Sequence, residues 1–242
     1  MEPDAGAAAA SPDMASVGFP PVLLILGTDL SGKDHVANVY GDAALAAGVP
    51  MERRRGMFSA PADRLRSSEG KGCLALFLER LFLATLPLHC RFLPVLTTMF
   101  LHYDLWRFRP SRQRRLVVVS HTPIRLLAFS LGHLASRAEE VIVPPLAAAA
   151  LAKLRQVTAA RVVVLDIAPE VRQGRLAERR RRGTEDIFDG YMRRDALRSE
   201  RIEAILVTLA VSHLGAVVVE NNDLEPQHLL SALLHVEPGS LC

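Results

Sequence analysis

Cysteine is scarce in this chain: Cys73, Cys90 and Cys242 are the only three in 242 residues. An odd number at wide spacing supplies neither a disulfide framework nor paired metal ligands. It points to reduced thiols and a cytoplasmic location. Charge of one sign is also missing. The formal net charge is +3, from 29 basic and 26 acidic residues, a balance that implies neither nucleic acid nor an anionic membrane as partner. Long hydrophobic runs are absent too. The most apolar stretch, Cys73 to Trp106, is broken by Glu79, Arg80 and Arg91 and punctuated by Pro87 and Pro94. Its runs fall short of the ~18 apolar residues that a membrane span needs. The first 20 residues lack the basic start and apolar core of a signal peptide and read as a disordered leader. There is no internal repeat, no hydrophobic heptad and no visible linker, so residues 21–238 are expected to form one domain.

Half of the residues are hydrophobic, ample for a buried core. Short apolar runs, Val22–Leu26, Leu116–Val119, Val162–Leu165 and Ala216–Val219, alternate with longer helical patterns. Each run is nearly continuous in apolar residues, as in a parallel strand covered on both faces. A weaker strand is expected near Pro50–Arg54. Helices are expected over Lys33–Ala47, Leu74–Leu86, Val95–Arg107, Pro145–Gln156, Pro169–Arg182, Asp189–Val211 and Pro226–Leu234. The alternation predicts a doubly wound α/β domain with its ligand site at the carboxyl ends of the strands. The two helices of the 74–106 region are expected to be buried in the domain or in a homodimer interface. Contact of that region with a membrane is the alternative.

The first strand runs into Gly27-Thr28-Asp29-Leu30-Ser31-Gly32-Lys33-Asp34-His35. Two glycines five apart followed by lysine, between a strand and a helix, form the Walker A pattern up to its last position. Glycines let backbone N–H groups turn toward phosphates, and the helix N-terminus adds positive potential. Lys33 would hold the donor phosphates. The bland reading is a glycine-rich turn with a solvent-exposed lysine. Asp34 departs from the pattern, which has serine or threonine there as a magnesium ligand. Its carboxylate is either a replacement ligand or a helix cap.

A second stretch, Leu165 to Asp189, runs from a strand ending in Asp166 through a Pro169-Glu170 helix start. It continues into Arg179-Arg180-Arg181-Arg182 and ends in Gly-Thr-Glu-Asp-Ile-Phe-Asp. Guanidinium groups on a closing segment suit phosphoryl transfer, because they neutralise charge spread over the transferring oxygens. A solvated helix face is the plain alternative.

Taken together, the apolar strand with Gly27–Lys33, the Leu165–Val171 segment, the arginine run to Asp189, the long helix from Tyr191 and the last strand before Glu225-Pro226 resemble the thymidylate kinase family. The resemblance covers most of the chain from Val22 to Leu234. It implies a P-loop NTPase-type parallel sheet with helices on both faces and an arginine-rich lid. It also implies ATP as donor, Mg²⁺ as cofactor and a nucleoside monophosphate or related small molecule as acceptor. By residue, it places Gly27 to His35 at the donor, with Asp29 facing the acceptor sugar. Lys33, Arg179 and Arg182 become the catalytic cations. The chain departs from the family after its middle strand, where an Asp-Arg pair is expected and Ser120-His121-Thr122 stands. Ser120, with Asp34, is then the remaining candidate for the metal. Arg53-Arg54-Arg55-Gly56-Met57 replaces another family segment, and Leu105 occupies the place of the arginine that reads the acceptor base. Arg107 or one of Arg53 to Arg55 is the alternative contact.

Three functions follow as expectations. The first is an active kinase of a small phosphorylated acceptor. The second is a nucleotide-binding protein that has lost catalysis. The third is a kinase of a non-nucleotide acceptor.

Overall fold

The computed structural model describes residues 19–28, 30–54, 77, 80–81, 83–85, 88, 91–109, 115–120, 122–135, 141–185, 187–222 and 225–234. The leader up to residue 18, the three cysteines, Asp29, Arg55 to Met57, His121 and most of Leu74–Leu86 lie outside the described residues.

Five strands form one all-parallel sheet: β1 (Val22–Leu26), β2 (Met51–Arg54), β3 (Leu116–Val119), β4 (Arg161–Asp166) and β5 (Val217–Glu220). The spatial order is β2-β3-β1-β4-β5. Residues of β1 alternate between two cores, as the two-residue period of a strand requires. Leu23 and Ile25 face a cluster with Val36, Ala37 and Tyr40 of helix α1 (Lys33–Ala46) and Leu229 and Leu233 of α8 (Pro226–Leu234). Val22, Leu24 and Leu26 face the larger cluster on the other side. That cluster is built by α2 (Leu93–Arg107), α3 (Ile124–Leu134), α4 (Pro145–Thr158) and α7 (Ala196–Leu214). Helices α5 (Pro169–Arg181) and α6 (Ile187–Arg193) follow β4 above its carboxyl end.

The sheet and most helices lie where the apolar periodicity places them. Three things differ. Helix α3 was not among the expected elements. The expected helix Asp189–Val211 is two helices, separated where Asp195 caps α7 by accepting from the Arg198 N–H at 2.9 Å. The expectation that Val95–Trp106 is mostly buried does not hold within the chain. Helix α2 turns Thr97, Thr98, Leu101, Asp104 and Leu105 inward. It turns Val95, Leu96, Met99, Phe100, Tyr103 and Trp106 outward, Met99 being 63% and Trp106 69% exposed. Thr98 tolerates burial because its hydroxyl donates to the Pro94 carbonyl at 2.6 Å.

β1 is the switch point. The chain leaves β1 through α1 on one face and leaves β3 through α3 on the other, and this opens a crevice at their carboxyl ends.

Candidate functional site

The turn between β1 and α1 is the centre of that crevice. Gly27 admits no side chain, because a Cβ would collide with the Ser31 hydroxyl. Gly32 sits at φ +84° against the Asn221 amide and is the residue that caps α1. Leu30 also holds a positive φ, 69°, which is unusual for a branched side chain. The Ser31 hydroxyl donates to the Thr28 carbonyl at 2.9 Å. The Lys33 Nζ donates to the same carbonyl at 2.5 Å, and Lys33 is only 8% exposed. A lysine folded under its own turn is not the solvent-exposed lysine of the bland reading.

Three neighbours hold the turn in shape. Arg175 of α5 donates to the Leu30 carbonyl at 2.8 Å and to the Asn221 carbonyl at 2.9 Å. Asn221, just past β5, donates through Nδ2 to the Ser31 carbonyl at 2.7 Å. Glu203 of α7 accepts from the Thr28 hydroxyl at 2.5 Å and pairs with Arg172 of α5. Burial pushes the Glu203 carboxyl up, opposed by the Thr28 hydrogen bond and the Arg172 charge.

A cavity of about 740 Å³ opens between this turn and α5. Leu30, Gly32 and His35 line one wall, and Gly174, Arg175 and Arg179 line another. Its volume lies in the range of ligand pockets, ~300–1,000 Å³. Of the expected lid cations, Arg179 lines this cavity and donates to Asp189 of α6 at 2.9 Å. Arg182 is 69% exposed and donates from Nε to Glu178 at 2.5 Å. Arg181 pairs with the same carboxylate, and bonds from Arg181 and then Arg182 pull the Glu178 carboxyl below its ordinary range. The arginine run therefore divides. Arg179 faces the cavity, while Arg181 and Arg182 are anchored along their own helix end.

On the other side of the turn lies a smaller cavity of about 120 Å³. Gly27 and Lys33 reach it from the turn, Ser120 and Thr122 from the end of β3, Arg125 from α3 and Phe188 from α6. Ser120 is 2% exposed, and among the described residues neither its hydroxyl nor that of Thr122 has a hydrogen-bond partner.

The two candidate metal residues are not brought together. Asp34 does not line the cavity that Ser120 lines. Its carboxylate pairs with Arg53 of β2, which also donates to Asn38 at 2.8 Å. Nor does Asp34 cap α1. With Asp34 engaged by a guanidinium and Ser120 facing Lys33 and Arg125, the described side chains do not fit a preformed magnesium site. Among the other candidate acceptor contacts, Arg54 is buried on the Phe108 ring and bonded to Glu52 at 2.8 Å. Arg107 donates to the Tyr103 hydroxyl at 2.9 Å on the exposed side of α2.

Sequence reasoning missed Arg125, Arg172, Arg175 and Glu203. Arg175 had a visible clue. It lies four residues before Arg179, hence on the same side of α5. The other three are recognisable only once α3 and α7 are placed. No protein-family model matches the chain, and no curated protein matches its sequence.

Proposed function

We propose that this chain is an ATP-dependent phosphotransferase of the nucleoside-monophosphate-kinase type, acting on a small phosphorylated acceptor. The observation that carries this reading is one glycine-bounded turn standing between two cavities, with the buried Lys33 reaching the smaller. The larger cavity suits the donor nucleotide, with Arg175 and Arg179 beside its phosphates. The turn cradles those phosphates with its N–H groups, and Lys33 swings from the Thr28 carbonyl to the β- and γ-phosphoryl oxygens. An oxygen of the acceptor then forms a bond to the γ-phosphorus, and the bond from that phosphorus to the β–γ bridging oxygen breaks. ADP leaves with the electron pair, and any proton on the acceptor oxygen passes to solvent. Positioning and charge neutralisation supply the catalysis.

The test is ATP binding by Lys33→Ala beside the unaltered protein, with circular dichroism to confirm folding. A charged hydrogen bond contributes roughly 1.5–3 kcal/mol, so affinity should fall about tenfold to a hundredfold. Unchanged affinity in a folded variant removes the phosphate-loop reading. A panel of monophosphates incubated with ATP, followed by ADP formation, then identifies the acceptor. ATP binding without acceptor-dependent turnover assigns the chain to the non-catalytic reading.

A further inference from the structure

Charge is spread unevenly along this chain. From Arg91 to Arg115 there are six arginines, and the one acid is Asp104. Asp104 is fully buried on the core side of α2. The near-neutral total of +3 hides this basic cluster. The same stretch holds an uncovered apolar surface. Phe92, Leu96, Met99, Phe100, Tyr103 and Trp106 are each between 47% and 73% exposed. Spaced three and four apart, they share one side of α2. Large apolar side chains gathered in this way mark an interaction surface rather than ordinary solvent-facing helix.

Arginines border that surface at both ends. Arg91 precedes α2, Arg107 ends it and Arg109 follows, and all three are exposed. The Arg107 guanidinium lies over the Tyr103 ring at 5.6 Å and donates to its hydroxyl at 2.9 Å. Arg109 donates to the carbonyls of Trp106 at 3.2 Å and Phe108 at 2.9 Å. Both cations are thus held at the rim, beside Tyr103 and Trp106, whose ring centres lie 6.2 Å apart. We propose that this side of α2 docks on the surface of an anionic phospholipid bilayer. Its apolar side chains enter the boundary between headgroups and acyl chains, and Arg91, Arg107 and Arg109 face the anionic headgroups. A helix of 15 residues is about 22 Å long, short of the ~30 Å hydrocarbon core, so it lies along the interface and does not cross it.

A second copy of this chain fits the surface less well. Two-fold pairing of α2 with itself sets Arg91 against Arg107 and Arg109 in the antiparallel sense. In the parallel sense it sets each arginine against its own copy. The buried Asp104 is the one carboxylate on either helix, so nothing on the paired faces answers those charges. Docking of this kind stands whether or not the crevice transfers phosphate.

Trp106 is the only tryptophan in the chain, so its fluorescence reports on this face directly. The experiment titrates the full chain with vesicles of phosphatidylcholine alone and of phosphatidylcholine mixed with phosphatidylserine, and separates bound protein by flotation. The mixed vesicles should move Trp106 emission to shorter wavelength and carry the protein upward, less so as salt rises. Neutral vesicles should bind about tenfold more weakly, or less still. Met99→Glu, at an exposed position, should weaken binding to the mixed vesicles about tenfold or more, with circular dichroism unchanged. Arg107→Gln with Arg109→Gln should weaken it about fivefold per arginine, and this pair decides the matter if Met99→Glu fails to fold. Absence of both the emission shift and flotation with mixed vesicles overturns the proposal. So does equal binding to neutral and mixed vesicles, or binding that survives both folded variants. An emission shift without vesicles that grows with protein concentration and disappears in Met99→Glu would show that a second copy covers the face, and would overturn it too.

Discussion

The two flanks of β1 are built on opposite terms. Toward β4 and β5 the glycine turn is tied down: Arg175 and Asn221 bond its carbonyls, and Glu203 bonds Thr28. Toward β3 the turn faces a small cavity lined by Lys33, Arg125 and the Ser120 and Thr122 hydroxyls, which have no partner among the described residues. One flank spends its polar groups on holding the turn in shape. On the other, the Ser120 and Thr122 hydroxyls meet no partner among the described residues. Stability and binding should therefore separate by flank, and substitutions on each side should move different measurements.

The largest expected effect is on the tied flank. Glu203→Ala removes the partner of Arg172 and of the Thr28 hydroxyl at once. Breaking a buried pair costs about 3 kcal/mol or more, which chemical denaturation would read as a lower midpoint. A loss below 1 kcal/mol would show that the flank is not the tied one. Arg175→Met comes next, at about 2 kcal/mol for two carbonyls left without a charged donor. On the open flank the sign reverses. Ser120→Ala removes an unmet buried hydroxyl and should leave the ligand-free protein equally stable or more stable by up to about 1 kcal/mol. A clear destabilisation there would mean that Ser120 already serves the fold.

The smallest effect concerns the bridge between the flanks, where His133 of α3 stacks on Tyr191 of α6 and hydrogen-bonds its hydroxyl. Burial, then the charges of Arg198 and Arg201, hold the His133 pKa below its ordinary 6.5, with Asp195 opposing. A depressed folded pKa means that the contribution is present above 6.5 and is lost as pH falls through the folded value. Thermal midpoints should therefore drop on the acid side of neutrality, and His133→Gln should flatten that slope. An unchanged slope would assign the acid sensitivity to other groups.

Four of the five strands were legible because continuous runs such as Leu116–Val119 suit little except a strand covered on both faces, whereas β2, Met51–Arg54, has no such run and was only weakly marked. Helix α3 was not. It begins at Ile124, directly after Ser120-His121-Thr122, and those residues were read as a motif rather than as the lead-in to a helix. The break before α7 was written in Asp195-Ala-Leu-Arg198, an N-cap hidden inside an otherwise helical pattern. For the site, Gly27 to Lys33 was legible because its parts are contiguous. Glu203 was not, since it meets Thr28 across 175 positions of chain. Hydropathy also misdirected the reading of α2. Apolar content marks a helix but does not say which side faces the core, and Thr97, Thr98 and Asp104 point inward.

The Arg53–Asp34 pair gives the crevice a rule of competition. A cation that reaches Asp34 from solution meets a guanidinium already tethered there by β2. A tethered rival acts at a fixed effective concentration however dilute the protein is. Because Asp34 is 58% exposed, its pair with that rival is a surface ion pair, which salt weakens, while Arg53 also keeps its bond to Asn38. Divalent ions at Asp34 would therefore have to displace Arg53 rather than fill an empty place. Arg53→Gln should make that carboxylate answer to lower concentrations of them, in the manner of a lock whose key has been withdrawn.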